Sequence, residues 1–168
     1  MPINGHSVIV GILARRVEGM IKENRERNNY KKSKEKNYTE EDIRECERYF
    51  ENEILNISKL KDDYDKFIVY AKKYAKYLKD NRLSTSQIRK VYSDIMNANN
   101  VMELKRLRPK LAYIQGRNKK VIGIQSFLSI LDKGLERLSV DNREDEIKSL
   151  KEFAETIVAY RKYYGDKE

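Results

Sequence analysis

Chain breakers are almost absent from this sequence: Gly occurs seven times and Pro twice in 168 residues. A sandwich or barrel of short strands needs turn residues about every 8–12 positions, and this chain does not supply them. Apolar residues instead recur at intervals of three and four, the period of one helix face. Seven such stretches follow one another. The first, near 7–27, carries Val8, Ile9, Ile12, Leu13, Val17, Met20 and Ile21. The second, 40–57, opens on Thr39 followed by Glu40, Glu41 and Asp42. That is a hydroxyl cap with acids at the positive end of the helix dipole. Its stripe is Ile43, Cys46, Phe50, Ile54 and Ile57.

The third stretch, 62–79, runs on Phe67, Ala71, Tyr74 and Leu78, and the fourth, after Leu83, on Ile88, Val91 and Ile95. The fifth, 101–115, uses Leu104, Leu107, Leu111 and Ile114 and contains Pro109. Pro removes one helical hydrogen bond, so the helix either kinks there or a second helix starts with Pro109 near its first position. The sixth, 121–138, and seventh, 143–164, bring Phe127, Leu131, Leu135, Leu150, Phe153 and Ile157 inward. The expected fold is all-α, an antiparallel bundle of about five or six helices. Residues 1–38 read as an N-terminal helix and a basic linker, and 39–168 as the bundle. The first helix either folds onto the bundle or swaps onto a second copy.

Charge is uneven along the chain. The net charge is +9, and residues 66–120 hold 15 basic against 3 acidic side chains, a local +12. Residues 39–65 are acidic by six charges. A basic surface attracts a polyanion, which includes nucleic acid, an anionic membrane or an acidic protein. On a continuous fifth helix, Arg106, Lys110, Tyr113 and Arg117 fall on one face away from the Leu stripe. They would rise over about 16 Å, a line that can follow a phosphate backbone. Lys119 and Lys120 extend it, and Arg106 leaves it if Pro109 breaks the helix. Arg89 flanks the stripe of the fourth helix, where it can present its guanidinium at the edge or pair with an acid. Tyr70, Tyr74 and Tyr77 lie among lysines, a pattern that suits base stacking but more often half-buried core tyrosines.

Catalytic groups are scarce. His6 is the lone histidine and Cys46 the lone cysteine, too few for a zinc site and insufficient for a disulfide. Cys46 sits on an apolar stripe as a small core residue. No Gly-rich phosphate loop, His pair or Cys–His pair occurs, and no cofactor is expected. The apolar run 8–13 is short and is followed, not preceded, by Arg15 and Arg16, the reverse of a signal peptide. The chain is therefore read as cytoplasmic and without a membrane partner.

Two segments go further: LSTSQIRKVY at 83–92 and LRPKLAYIQGRNKK at 107–120. Both resemble the small helical subunit of the type III-A CRISPR–Cas (Csm) interference complex. Phe127, Leu128 and the closing FAETIVAYRKYYG (153–165) are similar to its last two helices. The likeness covers residues from about 60 to 165, and residues 1–38 match nothing in it. It implies a helical bundle, several copies of which stack along an RNA-guided filament in antiviral defence. These copies lie beside the backbone subunits and face the guide–target duplex, and other subunits carry the nuclease activities. Guide RNA, target RNA, the other Csm subunits and further copies of the chain are the implied partners. RNA contact carries over to Arg89, Arg108, Lys110, Arg117, Lys119 and Lys120. Gln87, Ala112 and Tyr113 serve either the fold or the RNA. The alternative is a helical protein–protein scaffold subunit without direct RNA contact.

The missing catalytic groups give a first test. The purified chain should cleave neither RNA nor DNA, with or without divalent metal. Cleavage that survives repurification and disappears with a single point substitution would overturn the non-enzymatic reading.

Overall fold

In a computed structural model, the residues described are Lys22, 38–141 and 143–165. The first expected helix and the linker lie outside them, apart from Lys22, which is helical and exposed. Contacts divide the chain into Met1–Asn37 and a unit that begins at Tyr38. Tyr38 belongs to the second unit because its ring sits edge-on to Tyr77 at 5.9 Å and its hydroxyl donates to Asp80 at 2.9 Å.

The second unit is an all-α bundle, with no strand among the described residues. Its helices are α1 (Glu40–Glu53), α2 (Tyr64–Asp80), α3 (Thr85–Asn97), α4 (Val101–Lys105), α5 (Arg108–Arg117), α6 (Ile122–Arg137) and α7 (Glu144–Tyr163). A 3-10 turn at Ile57–Lys59 follows α1. Helix α1 starts where its cap signal stands: the Thr39 hydroxyl accepts from Asp42 N at 3.1 Å, and the Asp42 carboxylate accepts from Thr39 N at 2.7 Å. Lys73 also donates to this carboxylate, at 2.7 Å. That hydrogen bond first, and those from Thr39 after it, hold the Asp42 pKa well below the usual range.

Helix α1 ends earlier than its stripe predicts. The expected helix ran to Ile57, but α1 stops at Glu53 and the 3-10 turn follows. Tertiary bonds take over the backbone there: Ser58 N donates to the Ser149 hydroxyl at 3.0 Å, and that hydroxyl donates to Asp145 O at 2.7 Å. Ile54 and Ile57 remain buried, so the stripe marks burial correctly while misplacing the helix end.

The core is aromatic at its centre. Phe50 of α1 lies 6.2 Å from Phe67 and 5.3 Å from Tyr74, both of α2, and 5.2 Å from Phe153 of α7. All four are fully buried. Cys46 is buried beside them, and burial pushes its thiol up to about 12, where it is not a nucleophile. The Tyr74 hydroxyl shares a 2.6 Å hydrogen bond with Ser126, Tyr77 stacks on the Tyr74 ring at 6.0 Å, and Tyr70 donates to Glu45 at 2.5 Å. Tyr74 and Tyr70 thus tie α2 to α6 and α1, while Tyr77 packs along α2 itself.

One corner ties α2, α3, α6 and α7. Helix α2 closes with Leu83 N on Leu78 O and Arg82 N on Lys79 O, both at 3.0 Å. This turn places Arg82 at φ 67°, a left-handed conformation that glycine adopts more readily. Gly123 of α6 seats directly on the turn, and a Cβ there would lie 2.8 Å from Leu78 O and 3.0 Å from Asn81 O. From α7, the buried Arg161 donates Nε to Leu83 O and Nη1 to Gly165 O, both at 2.7 Å.

Two substitutions probe the corner from opposite sides. Gly123→Ala should lower unfolding free energy by about 1–3 kcal/mol, since the backbone oxygens cannot move aside. Arg82→Gly should raise it by roughly 1 kcal/mol by relieving the left-handed strain. Urea titrations followed by circular dichroism read both, and equal midpoints for the two variants would refute this account of the corner.

Candidate nucleic-acid interface

The Ser84 hydroxyl caps α3 by accepting from Gln87 N at 3.3 Å, and the Gln87 side chain accepts from Ser84 N at 3.1 Å. Ile88, Val91 and Ile95 turn inward, which leaves the adjacent Arg89 and Lys90 exposed. Further on, α4 ends at Lys105 and α5 begins at Arg108, with Pro109 in its first turn. Of the two outcomes open at Pro109, the structure takes the second helix, and the line that a continuous helix would start at Arg106 loses that residue. Pro109 has no N–H to continue the ladder and its ring crowds the preceding turn, so Arg106 sits in the joint between two helices.

Lys110, Tyr113 and Arg117 remain together on α5. With Ile114, Asn118 and Lys90 of α3 they line a cleft of about 310 Å³. Its base is set by amides. Gln87 Nε2 donates to Asn118 Oδ1 at 3.4 Å, and Asn118 Nδ2 donates to Ile114 O at 2.8 Å. Gln125 Nε2 of α6 donates to Gln115 O at 3.0 Å and to Asn118 O at 3.1 Å. Gln87 thus serves the fold. Ala112 and Tyr113 do not, since both are exposed.

The cations of residues 66–120 fall into two groups. Several are held inside the bundle's own contacts. Lys73 pairs with Asp42 at 2.7 Å, and Lys110 pairs with Asp94 at 2.5 Å. Arg108 forks onto Asp132 at 2.7 and 3.1 Å and reaches Glu136 at 3.5 Å. The bond to Asp132 first, and the nearby carboxylates after it, raise the Arg108 pKa. Lys66 and Lys72 lie over the rings of Tyr70 and Tyr160, while Lys79 and Lys105 donate to the carbonyls of Tyr164 and Glu136. Arg117 lies over Tyr113, 5.7 Å from the ring centroid.

Arg82, Arg89, Lys90, Arg106, Lys119 and Lys120 form the second group. All are exposed, and none has a partner among the described residues. Lys90 was missed by the sequence reading. It stands next to Arg89, and no one-dimensional signal says which of two neighbouring helix cations meets α5. Arg108 shows the converse. Its motif suits RNA, but the structure gives its charge two carboxylate partners.

A larger groove lies elsewhere. It is about 940 Å³ and runs between the 3-10 turn, the start of α2 and α7, with Ile57, Leu60, Tyr64, Ile147 and Tyr160 among its walls. Glu144, Glu152 and Glu155 line it against Lys148 and Lys151, so its charge does not favour a polyanion.

A family model described as Csm2 Type III-A matches residues 61–167. No curated protein matches the chain, and no solved structure does.

The two groups of cations are separable by stability. Arg108→Ala should lower the urea midpoint, because Asp132 loses its fork, whereas Arg89→Ala should leave it unchanged. Equal midpoints would mean that the Arg108 fork has no structural weight.

Proposed function

The chain belongs to the Csm2 family and is a small subunit of the type III-A CRISPR effector complex; from that premise we propose that it binds RNA, without catalysis, through the basic surface of α3, α5 and the loop after α5. The observation that carries this reading is the set of unpartnered cations beside the cleft. Arg89 and Lys90 stand side by side on α3, and Lys119 and Lys120 follow Asn118 directly. With Arg117 they offer charge to phosphates without breaking the internal pairs that hold the bundle, and Lys110, paired with Asp94, borders them. In an RNA-guided complex, sequence is read by base pairing with the guide, so a subunit lining the guide–target path needs no base-specific contacts. Stacking of copies and docking on other subunits then multiply weak individual contacts. Arg108 has a supporting role here, fixing α5 against α6.

The test compares two alanine variants. One replaces Lys90, Arg117, Lys119 and Lys120. The control replaces the exposed Lys148 and Lys162 of α7. Binding of a fluorescent RNA strand is measured by anisotropy across a salt series. The parent should bind weakly, with log affinity falling linearly in log salt. The first variant should lose roughly 0.7 in slope per phosphate contact removed. The control should match the parent. If the first variant binds and assembles like the parent, or the control loses as much, the surface does not bind RNA. A protein-docking role, served as well by exposed acids of α1 such as Glu40 and Glu45, would then replace it.

A further inference from the structure

Among the described residues two tyrosines are exposed, Tyr113 and Tyr163, and of these Tyr113 is the one that lines the basic cleft. The residue is 62% exposed, in a cleft it shares with Lys90, Lys110 and Arg117. Core tyrosines bury the ring and wet the hydroxyl; here the ring faces solvent, and the hydroxyl accepts from Arg117 Nη1 at 3.3 Å. An exposed ring of this kind has no packing reason to be aromatic. Resting on the RNA-binding reading above, we propose that Tyr113 is a stacking platform for one unpaired base, so that the cleft takes single-stranded RNA with a nucleotide splayed out.

Four features support this. The first is the cleft, about 310 Å³, which places the ring among Lys90, Lys110 and Arg117. Cations that follow the backbone beside an aromatic that takes the base are the arrangement used by single-strand binders. A duplex needs the phosphate contacts and leaves such a ring idle, because its bases are already stacked. The second is access. Gly116 lies one turn along α5 from Tyr113, on the same face, and a Cβ built there meets nothing within 4 Å. The absence of a side chain leaves the approach to the ring open. The third is fixation: Arg117 donates to the hydroxyl and lies over one face of the ring, 5.7 Å from its centroid, which sets the ring and leaves the other face for a base. The fourth is rigidity. The amide bonds of Gln125 and Asn118 anchor the last turn of α5, so the ring is held on a firm element before RNA arrives.

Three variants of the full chain test the proposal, with an unstructured RNA strand and a duplex of equal length as probes. Tyr113→Ala should weaken the single strand by at least about fivefold, the low end of base–aromatic stacking. It should leave the duplex within twofold and the salt slope unchanged, since no phosphate contact is lost. Tyr113→Phe should bind like the parent. Gly116→Leu should weaken the single strand as Tyr113→Ala does, because the new side chain crowds an intact ring. A strand carrying 5-iodouridine, irradiated in complex, should cross-link to the peptide containing Tyr113. The proposal fails if Tyr113→Ala binds the single strand like the parent, if it weakens strand and duplex alike, or if the cross-link maps elsewhere. Should the parent bind neither probe, the RNA-binding reading falls as well. Should the four-alanine variant lose its salt slope while Tyr113→Ala matches the parent, stacking alone is wrong.

Discussion

The seating of Gly123 on the closing turn of α2 is the constraint on which the remaining geometry depends. A backbone-to-backbone approach that would leave a Cβ 2.8 Å from Leu78 O admits glycine alone. It fixes where α6 begins. The Gly123 N–H donates to Asn81 O at 3.1 Å, so the approach is a bonded contact and not mere proximity. Arg161 closes the same corner from α7 through the carbonyl of Leu83, the residue just before the α3 cap. Three helices therefore take their positions from one turn. The basic cleft inherits that placement, because Gln87 of α3 and Gln125 of α6 both bond Asn118, the residue that caps α5.

Relative magnitudes separate what holds the bundle from what decorates it. A fully buried aromatic contributes about 2–3 kcal/mol by burial alone, and the Phe50, Phe67, Phe127 and Phe153 cluster contains four. Exposed ion pairs such as Arg44–Glu40 and Arg48–Glu41 contribute between about 0 and 1 kcal/mol each. The outer charge is thus free to serve binding without endangering the fold. Arg108, gripping two carboxylates from α6, belongs with the structural side, and Arg89 and Lys90, with no partner among the described residues, belong with the other.

The family match and the bottom-up reading meet at the same segments. The match spans 61–167, which takes in α2 to α7 and leaves α1 outside, although α1 supplies Phe50 to the centre of the core. The core therefore extends beyond the family-matched region, and the acidic helix is integral to it.

What the sequence determined by itself was the fold class and the helical stripes. Sparse breakers and a period of 3.6 leave few other ways to bury that apolar surface, and the Thr39 cap signal marked the start of α1 correctly because capping is a local interaction. The end of α1 was not legible, since Ser149 of a distant helix takes over the backbone there. Nor was the outcome at Pro109, where kink and restart were both open until packing placed Leu104 and Leu111 in the core on separate helices. At the candidate site, the sequence supplied Lys110, Tyr113 and Arg117 as one face. Tertiary structure alone decided that Lys90 joins them, that Arg108 is engaged with Asp132, and that the Tyr113 ring stands in solvent. The reason is physical: a helix repeat orients side chains about its own axis, whereas the identity of the neighbour each one meets depends on how the axes pack.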